Sequence, residues 1–211
     1  MELGTLVELN SDQLSSERDD FTALRYEAFL KHLGPRVRHV LDVGCNTGRG
    51  GTAMKARRPE LRITGLDCVQ ERLDRLDRRV YNAVLCGFIQ DVPLPTGSFD
   101  AIVAGEIIEH LPPEDVFRSL CECWRLLRLH GRLLITTPNP SYLKNTLRGQ
   151  SVLRDPSHLS QHTIGSIRRR LEDVGFRKTN IYGTGRVSKF LGSRFPFMPM
   201  YGSYLAVTEK W

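Results

Sequence analysis

The chain has no run approaching the roughly 18 consecutive apolar residues that a membrane-crossing helix needs. Its opening, Met1 to Asp20, is polar and acidic and lacks the basic-then-apolar layout of a secretory leader, so the expectation is a soluble cytoplasmic protein. Five cysteines, an odd number, offer no paired disulfide framework. Cys45, Cys68 and Cys86 each fall near the end of a predicted strand. Cys121 and Cys123 lie two apart on a predicted helix and so point in different directions, which excludes a compact zinc knuckle. Internal repeats and low-complexity segments are also missing. At 211 residues and 40% hydrophobic content, the chain can bury one sizeable core but not two comfortable ones, so residues 1–211 read as a single domain.

Lysine and arginine outnumber aspartate and glutamate by six, and the pI is near 9.2. That balance permits an anionic partner: nucleic acid, a phosphorylated substrate or a membrane surface. The densest basic clusters, Arg57 with Arg58 and Arg168 to Arg170, sit in helical stretches, where solvated faces account for them equally well.

Two element types alternate along the chain. Apolar runs at Val37 to Val43, Leu61 to Leu66, Ala83 to Cys86, Asp100 to Ala104 and Arg132 to Thr137 read as buried strands. Helical periodicity covers residues 20–33 (Phe21, Leu24 and Ala28 on one side), and a helix follows the glycine-rich turn through Met54 to about Arg58. Helical periodicity also covers Gln70 to Arg79 and the segment from Pro112, whose stripe is Val116, Leu120, Trp124 and Leu127. Thr163 can cap a further helix that Gly175 ends. Two more strands follow near Arg177 to Tyr182 and Ser203 to Thr208. Strand and helix alternating at this spacing predict a doubly wound α/β fold, with ligands bound beyond the carboxyl ends of the strands. The polar connection from Pro138 to Ser160 is long enough to be a functional loop.

The segment Leu41 to Gly48, Leu-Asp-Val-Gly-Cys-Asn-Thr-Gly, leaves a strand and enters a helix. Its glycines let the backbone turn sharply and approach a ligand. It lacks the Gly-Lys-Ser/Thr of a nucleotide-phosphate loop and the Gly-x-Gly-x-x-Gly of a dinucleotide site. It resembles the first motif of the class I S-adenosylmethionine-dependent methyltransferases. Ile63 to Asp67 is similar to that family's second strand, Asp91 to Asp100 to its approach to the fourth, and Gly131 to Pro140 to its fifth. Together these segments cover roughly residues 38–176 in family order.

The resemblance implies a Rossmann-like sheet of seven mostly parallel strands with helices on both faces and the last strand antiparallel, inserted between the fifth and sixth. It implies S-adenosylmethionine as cofactor, with Asp67 anchoring the ribose, Asp42 and Gly44 in the turn, and Cys45, Asn46, Gly48, Cys68 and Glu106 around it. Many relatives carry Gly-Asp where this chain has Gly87-Phe88, so Phe88 is expected as an apolar wall and the Ile89 backbone as the adenine partner.

Glu106 to His110, Glu-Ile-Ile-Glu-His, follows the fourth strand, beside the family's transferable methyl. His110, with an ordinary pKa of ~6.5, suits a general base for a hydroxyl acceptor. The same run occurs in small-RNA 2′-O-methyltransferases and ubiquinone-pathway O-methyltransferases. In the RNA group a later histidine completes a divalent-metal site. By that likeness Glu106, Glu109, His110 and His158 form a candidate magnesium or manganese site. Asp155 to Leu159 also resembles bacterial sugar methyltransferases. The expectation is O-methylation of a small-molecule or sugar hydroxyl, with RNA ribose methylation and a non-catalytic cofactor-binding subunit as alternatives. The segments 138–160 and 186–202 are expected on the acceptor side. The second mixes aromatic, methionine and basic residues, and it could cover the pocket or rest on a membrane surface.

Overall fold

The computed structural model describes residues 3–11 and 21–211. The seven strands are β1 (His39–Val43), β2 (Arg62–Asp67), β3 (Ala83–Cys86), β4 (Phe99–Gly105), β5 (Leu127–Pro138), β6 (Phe176–Thr184) and β7 (Ser203–Lys210). The helices are α1 (Leu3–Ser11), α2 (Phe21–Leu33), α3 (Arg49–Arg57), α4 (Gln70–Asp74), α5 (Pro113–Leu126), α6 (Leu143–Leu147), α7 (Ile164–Val174) and α8 (Ser188–Leu191). The sheet order is β3-β2-β1-β4-β5-β7-β6, and β7 runs antiparallel to both neighbours. This is the expected Rossmann-like arrangement.

Alternation along the strands builds two cores. Leu41 and Val43, Ile102 and Ala104, and Leu133 and Ile135 face one layer, where α5 supplies Val116 and Leu120 and α7 supplies Ile167 and Leu171. Val40, Ala101, Val103 and Leu134 face the other, against Tyr26, Phe29 and Leu33 of α2 and Met54 of α3. Proline at the start of α5 and acids in its first turn suit a helix N-terminus. Thr163 caps α7, its hydroxyl accepting from the Ser166 amide, and Gly175 closes it at φ 112°.

Several elements differ from the sequence reading. The start of α2 at residue 20 lies outside the described residues, and its buried face is Tyr26, Phe29 and Leu33 rather than Phe21, Leu24 and Ala28. Arg58 follows α3 instead of continuing it. Helix α4 stops at Asp74, five residues short. Beyond it, Asp77 takes over as a turn: its carboxylate accepts from the Arg79 amide and its carbonyl from Val80 and Tyr81. Strand β5 begins at Leu127, five residues earlier than expected. In α5 the buried line is Val116, Leu120, Cys123 and Leu126, and Trp124 is only half-buried. All five cysteines are free. Among the described residues, no helix is long and apolar enough to cross a membrane.

Candidate functional site

The first turn of the site is built from below by a buried carboxylate. Asp42, on β1, is fully inaccessible and accepts from Tyr26 Oη of α2 (2.5 Å) and from Tyr81 Oη (2.7 Å). Burial raises its pKa to about 6, against the opposing pull of the two hydroxyls. The same rings lie over the start of α3. A Cβ at Gly50 would stand 2.0 Å from the Tyr26 ring and one at Gly51 2.4 Å from Tyr81, whose hydroxyl accepts from the Gly51 amide. Asp42 therefore acts beneath the loop and does not line the cavities above it. Gly48, at φ 80°, faces Leu76 and Tyr81, and the Cys45 thiol packs toward Gly65. Asp42, Gly48 and the Cys45 side chain thus support the turn, and Cys45 also lines the second of the cavities above it.

Two cavities open at the carboxyl ends of β1, β2 and β4. The first is lined by Gly44, Asn46, Asp67, Cys68, Phe88 and Ile89, with Arg72 and Asn10 at its edge. The Asp67 carboxylate accepts from the amides of Asn46 (2.8 Å) and Val69 (3.0 Å) and lies 3.8 Å from Arg72. Arg72 in turn donates to the Asn10 carbonyl of α1. The second cavity is lined by Asn46, Thr47, Arg25, Glu106 and His110. Ile107 borders both, resting on the bare backbone of Gly44: its Cδ1 is 2.0 Å from where a Cβ would stand. Asn46 Oδ1 and Glu106 Oε1 are buried without a hydrogen-bond donor. Such an unpaired buried acceptor costs about 1–3 kcal/mol, so both mark places where a ligand's donors would be welcome.

Beside the second cavity, the two expected histidines come together, with ring centroids 4.9 Å apart. The Nδ1–H of His110 donates to the Ser157 carbonyl (2.9 Å) and that of His158 to the Val152 carbonyl (2.8 Å). Each ring is thus oriented by backbone, with its lone pair on Nε2. The segment carrying His158 is tied to the exit of β4, the amides of Leu159 and Ser160 both donating to the Glu109 carbonyl. Glu109 is fully buried. Thr137 donates to one oxygen, the other has no donor, and burial together with the Glu106 charge raises its pKa well above the usual carboxylate range. Burial lowers the His110 pKa to about 4.

Ligand atoms of Glu109, His110 and His158 lie within 4.8 Å of one another. Glu106, the fourth expected ligand, is not part of this trio and lies 3.9 Å from Arg25. Two ligands of one divalent ion with bonds of ~2.1 Å can be at most about 4.2 Å apart, so the trio would have to contract slightly to hold one.

Sequence reasoning missed Tyr26, Tyr81, Arg72 and Ile107. The first three reach the site from other elements, and only tertiary packing reveals them. Ile107 lay inside the Glu-x-x-Glu-His run and was passed over as an apolar spacer.

Residues 41–135 match a family model described as a methyltransferase domain. A "probable S-adenosylmethionine-dependent methyltransferase" of Mycolicibacterium smegmatis is 31% identical over 170 residues, covering 75% of this chain and 60% of that protein. A malonyl-(acyl-carrier protein) O-methyltransferase of Laribacter hongkongensis is 31% identical over 161 residues, covering 70% of this chain and 52% of its own length. The chain therefore spans little more than half of these relatives. A crystal structure of a SAM-dependent methyltransferase from Archaeoglobus fulgidus superposes with a TM-score of 0.71 at 19% identity, over 90% of this chain and 94% of that one.

Proposed function

We propose, for a chain that belongs to the class I S-adenosylmethionine-dependent methyltransferase family, that it transfers the cofactor's methyl group to an oxygen of a small molecule. The observation that carries this is the pair of cavities meeting over Gly44, one ending at Asp67 and the other at Glu106 and His110. Bound there, S-adenosylmethionine supplies an electrophilic methyl on a sulfonium. Asp67 accepts the ribose hydroxyls, Phe88 and Ile89 wall the adenine, and Asn46 and Glu106 receive donors of the amino-acid end. His110, neutral at pH 7 with a pKa of about 4, is a weak base there. An acceptor oxygen that is already ionised needs no proton removed, and so suits this site better than an alcohol. The oxygen acceptor also accords with the name of the Laribacter hongkongensis relative.

Tritiated-methyl transfer from S-adenosylmethionine to a panel of hydroxyl, sugar and carboxyl acceptors tests this reading. Saturable transfer that Gly44→Arg abolishes supports it. Calorimetry showing no binding of S-adenosylhomocysteine to the wild-type chain refutes it.

A second reading is favoured by the grouping of Glu109, His110 and His158: a magnesium or manganese ion lowers the pKa of a ribose hydroxyl at an RNA terminus. Chelator should then remove transfer to RNA, and either ion should restore it.

A further inference from the structure

The cavity holding Arg25 and Glu106 does not end there. Both residues also line a third cavity, framed by Tyr142, Lys144, Arg186 and Ser203. Tyr142, Lys144 and Val187 then pass into a largely apolar groove whose walls include Leu143, Leu147, Pro199 and Met200. The three cavities thus lie side by side with shared walls, from the cofactor loop, past a cationic neck, to an apolar trough on the surface.

Its charge is one-sided. Segments 138–154 and 186–202 carry Lys144, Arg148, Arg154, Arg186, Lys189 and Arg194 and no aspartate or glutamate. Among the described residues lining the path, Glu106 is the only acid, and Arg25 lies 3.9 Å from it. Leu147, on the wall of the groove, is 78% exposed.

We infer that the methyl acceptor is an amphiphile with an ionised oxygen head, drawn inward past Lys144 and Arg186 toward Arg25, and a hydrocarbon chain lying in the groove between Leu147 and Met200. This rests on the methyltransferase reading above. A free sugar would leave the groove empty, and a cationic head would meet like charge at the neck. In the transfer, a lone pair of the carboxylate oxygen forms the new bond to the methyl carbon, and the carbon–sulfur bond breaks with its electron pair passing to sulfur. The negative oxygen and positive sulfonium both become neutral, and no proton moves. A strong base is therefore not needed.

The test uses 11-(dansylamino)undecanoic acid below its micellar concentration, titrated by fluorescence into the full chain, with S-adenosylhomocysteine calorimetry on the same preparations. Saturable enhancement is expected, reversed by laurate but not by dodecylamine. Leu147→Glu, Met200→Glu and Lys144→Glu should each weaken the probe at least tenfold and leave the S-adenosylhomocysteine affinity unchanged. Tritium from labelled cofactor should pass into a solvent-extractable ester of at least one fatty acid of eight to sixteen carbons. No enhancement, variants with unaltered affinity, or absence of any extractable ester overturns the inference. So does capture by anionic vesicles without binding of the monomeric probe. If S-adenosylhomocysteine itself fails to bind the wild-type chain, the methyltransferase reading has failed instead.

Discussion

A buried carboxylate gives the molecule a pH dependence that can be assigned to one residue. Asp42 has a native pKa of about 6 against an ordinary value of 3.8. Between those values the native state binds the proton that the unfolded chain releases, so the contribution of Asp42 to stability falls as pH rises from about 4 to about 6 and is level beyond. A gap of about two units corresponds to ~3 kcal/mol. In urea unfolding at pH 4.5 and 7.5, Asp42→Asn should lose this part of the slope. An identical slope in the variant would remove the assignment to Asp42. Asp67 makes the contrasting case, since its carboxylate is held at the cavity by the Asn46 and Val69 amides. Asp67→Ala should weaken S-adenosylhomocysteine by about 1.5–3 kcal/mol, the range for hydrogen bonds to a charged group. Calorimetry showing a change under twofold would move the ribose elsewhere. His110, lowered to about 4, should contribute no inflection to a rate profile between pH 6 and 8. A limb near 6.5 that disappears in His110→Ala would contradict its burial.

At the scale of elements, the turn into α3 depends on glycine where two aromatic rings press on a helix. Gly50→Ala would set a methyl 2.0 Å from the Tyr26 ring, and the ring is itself fixed by Asp42. Overpacking of this kind typically costs about 1–3 kcal/mol, more than alanine gains in helix propensity. Chemical denaturation should show that loss, and a stabilised Gly50→Ala would mean that α2 can slide away freely. This contact also shows what the sequence could reveal. Strands β1 to β4 were legible because each is a short apolar run closed by an acid or a glycine. The strand exits at Gly44, Asp67 and Glu106 followed from that. Helix α4 was overextended because Leu73, Leu76 and Val80 keep helical spacing, while Leu76 and Tyr81 in fact fold back onto Gly48. The Tyr26–Asp42–Tyr81 cluster, with partners 16 and 39 residues from the aspartate, leaves no local pattern to find. The meeting of His110 with His158 was legible through the family resemblance and not through any local pattern. Their contact depends on the Leu159 and Ser160 amides reaching the Glu109 carbonyl.

Across the whole molecule, the two cavities of the proposed cofactor space meet along Gly44, Asn46, Ile107 and His110, which line both. Ile107 lies against Gly44 there, so a ligand spanning from Asp67 to Glu106 is expected to move it. The residues that such a ligand would join belong to β1, β2 and β4 and to the connections that follow them. Binding should therefore stabilise the fold as a unit. At a free ligand concentration 100 times Kd, linkage gives about 2.7 kcal/mol. For a domain of this size, that corresponds to a rise in Tm of about 5–10 °C. Calorimetric melting with S-adenosylhomocysteine should show that shift as a single displaced transition. Hydrogen exchange should slow together in residues 44–48, 67–69 and 105–111. Gly44→Arg, which fills the space above the turn and sets a side chain at φ 69°, should show neither effect. Protection confined to residues 67–69 would mean that the ligand occupies only the first cavity and leaves Ile107 in place. The cavities beyond Glu106 would then have no methyl donor beside them.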